Sequence, residues 1–391
     1  MKKFLAALVV LSLFMGLSIG YSRVATTLYA LQLDAHGWKL AAVAFTQSIG
    51  MLVLGASAGG WVSRYGARPV FIFGTLWGIV IYLATPLIPN LWALLIFSAM
   101  ASLAMPLRFV AVNTVFMSRL NEIGQQRAGW FRAAHVIGMS FLGAVLATNV
   151  FSVSGPLTLF WLAAAIFLMN IAVLLFAFSP EDWMVAGSNK QSAVPQKIWS
   201  TSAKQIAFRE FTIQSLNAYY AFYIVVIFVR YLHSSPKAAG LAVAIQGLVF
   251  VATLIVSGSF VLKYVKSSPI IGAILVIISV TILALSEHRL MLFSAGGLLG
   301  LGLGILQAMN LMQFARLGAR IGYSQAASIN ALSGPSGGVV GGALGGVFEY
   351  WMSPQMVFFI FIPLFLILAF WREERVAVCS FNLAETNVAD R

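Results

Sequence analysis

The sequence predicts an all-α membrane protein whose twelve transmembrane helices are arranged as two six-helix repeats. Three observations carry that prediction. Of the 391 residues, 60% are hydrophobic and only 9% are charged, with a mean hydropathy of +0.92, too little polar surface to cover a water-soluble globule. Long apolar runs follow one another in regular succession. The segment Gly59-Gly60-Trp61-Val62-Ser63-Arg64-Tyr65-Gly66-Ala67-Arg68-Pro69 returns in weaker form as Gly258-Ser259-Phe260-Val261-Leu262-Lys263-Tyr264-Val265-Lys266, 199 residues later. Each copy is a short basic loop between two apolar runs, the signature of a transporter built from internal repeats.

A helix crossing the hydrocarbon needs about 20 apolar residues. Such runs fall at 4–31, 38–62, 69–87, 91–117, 128–152, 156–179, 210–233, 238–262, 269–286, 290–315, 323–349 and 352–371. The first, behind Met1-Lys2-Lys3, is too long for a secretory leader and has no small-residue cleavage site, so it reads as a retained span. The domains expected are an N-terminal bundle (1–179), a polar linker (180–209), a C-terminal bundle (210–371) and a polar tail (372–391). The duplication extends past the loop motif. Lys39 and Lys237 precede spans 2 and 8, Gln47 and Gln246 lie inside them, and Ile123-Gly124 and Ile321-Gly322 introduce spans 5 and 11, all at offsets of 198 or 199.

With the N-terminus inside, the inner loops hold most of the Lys and Arg, whereas the outer loops hold only Lys39, Lys237 and Arg289. The positive-inside rule then places both termini in the cytoplasm, with a bacterial inner (plasma) membrane as the expected location. The net charge of +13 is spread singly and in pairs, as topology determinants are, and not clustered as a nucleic-acid surface would be. The one cysteine, Cys379, supports neither a disulfide framework nor a thiolate metal site. No cofactor, no metal and no nucleic acid are expected; the partners expected are the lipid bilayer, a small-molecule anionic substrate, and a proton or counter-anion. The chain is expected to be a monomer.

Two sets of six spans, with Gly59, Arg64, Gly66 and Arg68 between spans 2 and 3, resemble the major facilitator superfamily, whose pattern there is G-x-x-x-D-R-x-G-R-R/K. Ser63 stands at the acidic position and Ala67 at an arginine. The resemblance implies that spans 1, 4, 7 and 10 line a cavity, that 2, 5, 8 and 11 form gates, and that 3, 6, 9 and 12 face lipid. It also implies gating roles for Ser63, Arg64, Gly66 and Arg68, the missing acid weakening a cytoplasmic charge relay.

A charge at membrane depth costs at least about 2.5 kcal/mol, so intramembrane arginines are candidate functional residues. Arg23 in span 1, flanked by Tyr21, Ser22, Thr26 and Thr27, is the first of them; Arg108 in span 4, after Met105-Pro106, is the second. Arg132 and His135 are one turn apart in span 5 and are assigned to coupling or gating. Arg230 lies near the outer end of span 7, where an arginine can snorkel. All eleven Asp and Glu residues, Glu210 among them, fall in loops, tails or near the expected span ends. Guanidinium groups without acids suit an anion, to which each can make paired, charge-assisted hydrogen bonds. Asn217, Tyr219, Tyr220 and Tyr223 in span 7 and Gln307 and Asn310 in span 10 are expected to complete the binding site.

Span 10 carries Gly296, Gly300 and Gly304; span 11 carries Gly334-Pro335-Ser336-Gly337-Gly338, then Gly341-Gly342 and Gly345-Gly346. Small residues at this spacing let helices approach closely, and Pro335 adds a bend at a moving helix. The stretch resembles the glycine-proline motif that antiporters of the superfamily place in span 5, but here it lies in span 11. The expectation is therefore a secondary active transporter, an exporter or antiporter, moving an organic anion such as a carboxylate metabolite or siderophore by alternating access. The alternatives are an organophosphate or anion exchanger and, from another class, a non-transporting receptor or a polytopic membrane enzyme. For an enzyme, the scattered His36, His135, His233 and His288 offer no converging set.

Overall fold

The computed structural model describes residues 2–119, 125–183, 201–263, 267–321, 323–348 and 350–371. The first half comprises α1 (Lys2–Gln32), α2 (Trp38–Tyr65), α3 (Ala67–Ala84), α4 (Leu91–Ser102), α5 (Ala104–Ser118), α6 (Gln125–Val136), α7 (Ala144–Val153) and α8 (Pro156–Ala177). The second comprises α9 (Thr201–Val226), α10 (Pro236–Lys263), α11 (Ser268–Leu285), α12 (Arg289–Ile321), α13 (Tyr323–Phe348) and α14 (Phe361–Phe370). Two π-helical turns, Ile137–Gly143 between α6 and α7 and Ile227–Tyr231 after α9, interrupt the regular ladder, as often happens where helices bear function. Residues 184–200 of the expected linker, the tail 372–391, Gly124, Gly322 and the side chain of Arg132 lie outside the described residues.

Local chemistry sets the helix ends. Asn90 caps α4 by accepting from Trp92 N–H at 2.8 Å, and α8, α10 and α11 all have proline in the first turn, where its missing N–H costs nothing. Gly66, at φ 88°, reverses the chain between α2 and α3 in a conformation closed to most L-residues. Pro106 cannot donate to the preceding turn, and the expected span 4 divides there into α4 and α5.

Among the described residues, ten helical segments are long and apolar enough to cross a membrane, so this is a multi-pass membrane architecture. The other two expected spans correspond to α13, whose many glycines and serines lower its hydropathy, and to the shorter apolar run Met356–Phe370. A second difference matters more. The helix expected to begin at residue 210 begins at Thr201, so residues 201–209 of the expected linker are its first turns and Glu210 lies well inside it.

The two halves touch chiefly through α2 with α13 and through the π-turn and α7 with α10. In α13 the glycine doublets divide their labour. The first of each pair packs within its own half: a Cβ at Gly337, Gly341 or Gly345 would strike Phe211, Ser215 or the Tyr223 ring of α9. The second faces α2 in the other half. A Cβ at Gly346 would collide with Ala41, at Gly342 it would lie 3.3 Å from Ala44, and at Gly338 it would meet nothing within 4 Å. Gly55, Gly59 and Gly60 of α2 likewise face open space. The halves thus form a V, closed at the end bearing the α1–α2 connection and open at the end bearing the α2–α3 loop. The apolar core follows the same shape: one cluster joins both halves at the closed end, while separate clusters around Phe71 and Phe116 and around Ile206 and Phe314 fill the two halves at the open end.

Leucine at Gly346 is expected to force the closed end apart, lengthening a spin-label distance between Lys39→Cys and Tyr350→Cys by about 2 Å, the gap between a glycine contact and ordinary helix packing. Leucine at Gly338 should leave that distance unchanged. Equal effects of the two substitutions would contradict the V-shaped contact.

Candidate functional site

Two cavities meet at Arg23. The central one, about 660 Å³ of empty space with its mouth included, lies between the halves and is lined by α1, α2, the first π-turn, α9, α10 and α13. Its polar groups are Arg23, Thr27, Gln47, Ser48, Ser140, Asn217 and Gln246, with Phe222 supplying an aromatic surface. The second, about 420 Å³, lies inside the first half, where Ser22, Arg23, Thr26, Tyr82, Ser98, Ser102, Arg108 and Phe167 converge. Among the described residues, neither wall contains an acidic side chain.

Arg23 sits nine residues before the end of α1, about 14 Å from the closed end at 1.5 Å per residue. Its backbone carbonyl accepts from Thr27 Oγ1 at 2.9 Å and from Gln47 Nε2 at 3.5 Å, but among the described residues its guanidinium has no protein partner. Arg108 is 1% exposed at the back of the side pocket. Its Nη2 donates to Ser18 Oγ at 2.9 Å and its guanidinium carbon lies 4.1 Å from the Phe167 ring centroid, while its buried Nε has no hydrogen-bond partner among the described residues. A stacked aromatic face offsets part of the desolvation of a guanidinium, but not its missing counter-charge. The pair makes a polar, positively charged recess that opens into the central cavity past Arg23.

The structure sorts the other residues singled out from sequence. Asn217 is in the central cavity, where its Oδ1 accepts from Gln246 Nε2 at 3.2 Å. Tyr219, Tyr220 and Tyr223 line neither cavity. All three are fully buried on the far side of α9: Tyr219 donates to Pro354 O, Tyr220 to Ala242 O at 3.0 Å, and Tyr223 stacks on Tyr219 against Gly345. Their place is packing, because α9 has helices on every side and its three tyrosines are turned from the cavity that Phe222 faces. Gln307 and Asn310 are also displaced from the cavity, their amides donating instead to Glu210. His135 lies beside Phe109, with ring centroids 6.2 Å apart, and lines neither cavity. Ser63, Arg64 and Gly66 are exposed at the open end, Ser63 Oγ donating to Gly60 O at 2.9 Å; Arg68 is half-buried nearby. Pro335 lies within α13, one residue beyond Gly334, which faces Glu210.

Sequence reasoning passed over Gln47 and Gln246 as binding residues, although their equivalence in the repeat was visible: each comes from the second helix of its half and reaches the first. It also passed over Tyr82, which brings α3, expected to face lipid, to the side pocket. Glu210, expected near the start of its span, instead lies well inside α9 and is 2% exposed among α9, α12 and α13. Arg230, expected to snorkel, instead donates from Nη1 to Ala35 O at 2.9 Å, tying the π-turn after α9 to the α1–α2 connection across the closed end. A hydrogen bond from a charged group contributes about 1.5 kcal/mol or more. Arg230→Leu should therefore loosen the closed end, raising the labelling rate of a cysteine at Lys39 up to about tenfold; an unchanged rate would deny this bond a role in closure.

No family model and no curated protein matches the sequence. Among solved structures, the chain is similar over 94% of its length to the nucleoside transporter NupG (16% identity, TM-score 0.71, 98% of that chain). It is similar over the same share to a bacterial homologue of the human lysosomal transporter Spinster in an inward-facing and unoccupied conformation (11% identity, TM-score 0.72, 95% of that chain). A bacterial homologue of the iron transporter ferroportin in an inward-facing state is matched as well (14% identity, TM-score 0.72, 99% of that chain). The chain shares the helical fold of these solved transporter structures. At these identities the likeness concerns the fold.

Proposed function

We propose that the protein is a secondary active transporter that carries a small organic anion through the central cavity by alternating access. The observation that carries this reading is the guanidinium of Arg23 on the wall shared by the two cavities, with Arg108 behind it and, among the described residues, no hydrogen-bond partner for Arg23 and no acid on either wall. The missing counter-charge is what an anionic substrate supplies. Gln47, Asn217 and Gln246 add neutral donors and acceptors, which suits a substrate with a carboxylate at one end and a hydroxylated or amide-bearing body, a carboxylate metabolite or siderophore. The likeness to transporters of nucleosides and of iron supports small-molecule transport as the class.

Direction follows from orientation. If both termini are cytoplasmic, as the basic loops indicate, the open end faces the cytoplasm and the cavity stands ready to load cargo for export against a proton or counter-anion. An organophosphate exchanger would use arginines of spans 1 and 7, and Arg230 is disfavoured for that role by its bond to Ala35 at the closed end.

Uptake of labelled carboxylates and siderophores into proteoliposomes, with and without a pH gradient, is the direct test. Arg23→Gln should raise the half-saturating concentration at least tenfold, since a charge-assisted hydrogen bond contributes about 1.5–3 kcal/mol. Arg23→Lys should restore part of it, lacking the planar fork. Transport confined to cations or neutral compounds, or an unchanged half-saturating concentration in Arg23→Gln, would overturn the anion reading.

A further inference from the structure

Glu210 is the carboxylate that the anion site does not use. It lies nine residues, about 13 Å, past the start of α9 and is 2% exposed. Its Oε1 accepts from Gln214 Nε2 at 2.9 Å; its Oε2 accepts from Gln307 Nε2 at 3.1 Å and from Asn310 Nδ2 at 2.6 Å. Every one of these donors is a neutral amide, and among the described residues no cationic side chain pairs with it. Arg209, beside it in sequence, is turned to Gln313 Oε1 of α12 at 2.5 Å. Other charged or titratable groups on the elements packed around it include Lys204, Tyr219, Tyr220 and Tyr223 of α9, Arg289 of α12 and Arg23 of α1, the last in the central cavity; the side chains of Arg316, Arg320 and Tyr323 lie outside the described residues.

A second observation points to a ligand. Gln307 and Asn310 are 3% and 0% exposed, and the carbonyl oxygens of their amides, Gln307 Oε1 and Asn310 Oδ1, have no hydrogen-bond partner among the described residues. Buried acceptors left empty are costly, and so is a buried carboxylate without a counter-charge. One event relieves both. A primary amide presents N–H on one edge and C=O on the other, and a half-turn about its last torsion exchanges them. An ionised carboxylate takes the N–H edges, as here. A carboxylate that has taken up a cation repels N–H and attracts C=O, so the two empty oxygens become ligands. The set therefore has two arrangements, one for each occupancy.

We propose that Glu210, Gln214, Gln307 and Asn310 form a binding site for a small monovalent cation, a proton or Na⁺, and that its occupancy is the coupling signal of the transport cycle. The site touches the moving contact directly: Gly334 of α13 approaches the Glu210 carboxylate, where a Cβ would lie 3.6 Å from Oε1, and Pro335 follows it. α13 carries the glycine doublets that close on α2. Reorganising the amides of α12 around Glu210 therefore changes the seat of α13, and with it the opening of the V. The coupling role rests on the transport reading; the cation site itself does not.

The test uses the purified full chain without any anion, so that it stands or falls apart from Arg23 and the uptake assay. Two readouts are followed in wild type, Glu210→Gln, Glu210→Asp and Gln307→Met: thermal unfolding with Na⁺ replacing K⁺ at constant ionic strength, and the spin-label distance between Ser57→Cys of α2 and Leu332→Cys of α13 between pH 5 and 9, with Cys379→Ser as background. A Na⁺ site predicts stabilisation by Na⁺ over K⁺; a proton site predicts a distance distribution that changes with pH. Either response should vanish in Glu210→Gln and survive in Glu210→Asp. In Gln307→Met the Na⁺ affinity should fall at least tenfold or the pH response of the distance should be altered. A wild type indifferent to both ions, or a response that persists unaltered in Glu210→Gln and Gln307→Met, overturns the proposal. If Glu210→Gln does not fold, Gln307→Met, which keeps the carboxylate, decides the matter alone.

Discussion

The approach of α13 to α2 at Gly342 and Gly346 is the contact on which the rest of the structure depends. Lipid tails are as apolar as leucine, so no hydrophobic force drives two membrane helices together; what holds them is van der Waals contact between surfaces small enough to meet. Ala41 and Ala44 on one side and the glycine pair on the other provide such surfaces at one end only. Toward the other end α2 continues with Gly55, Gly59 and Gly60 and α13 with Gly338, small residues too, but standing in open space. The same chemistry is thus laid along the full seam and engaged over only part of it. A seam of this kind can be made at either end with similar energy, which is what alternating access requires.

The apex of that V fixes where charge can be held. Arg23 lies where the joined core gives way to the cavity, deep enough to be drawn from bulk water yet open on one side, and Arg108 lies behind it against Phe167. Had the seam closed along its whole length, both guanidiniums would be sealed in without an acid, at a cost of several kcal/mol each. On the proposed function, the first half would therefore favour closure around a substrate that brings negative charge over closure when empty. The bond from Arg230 to Ala35 closes the opposite end with a charged donor and a backbone acceptor, independent of what the cavity holds.

Most of this scaffold was legible in the sequence, because it rests on signals that act locally. Hydropathy placed the helices to within a few residues, the repeated basic loop gave the duplication, and the four-residue glycine spacing gave close packing. Arg23, Arg108 and Asn217, singled out by the cost of a buried charge and by their helix, lie on the cavity walls. Two expectations failed. Residues 201–209, Thr-Ser-Ala-Lys-Gln-Ile-Ala-Phe-Arg, are polar enough to read as linker, yet they extend α9, and Arg209 and Glu210 are buried through contacts with α12 that no local window contains. The tyrosines of the same helix were assigned to the cavity because aromatic residues often line one. Which face of a helix looks inward is decided when all sides are covered by apolar neighbours, and there the amphipathic signal is absent.

Duplication supplied two equal frames, and the ionisable residues then departed from symmetry. Gln47 and Gln246 keep equivalent places and make equivalent reaches to the first helix of each half. Arg23, by contrast, corresponds at the same offset to Phe222, Glu210 to Leu11, and Arg108 to Gln307. Among the described residues, the first half thus places Arg23 and Arg108 on cavity walls that carry no acid, and the second buries Glu210 among neutral amides with no cationic side chain paired to it. Were they partners in one bundle they would neutralise each other, and neither would call for anything from solution. On the proposed reading the two bundles move against one another, Arg23 takes the charge of the cargo and Glu210 that of a small cation, and both bindings bear on the same seam, through α1 and α2 on one side and α9, α12 and α13 on the other. Two sites that bias one two-state element are coupled whether or not they touch, which is how the proposed carrier would couple its cargo to an ion.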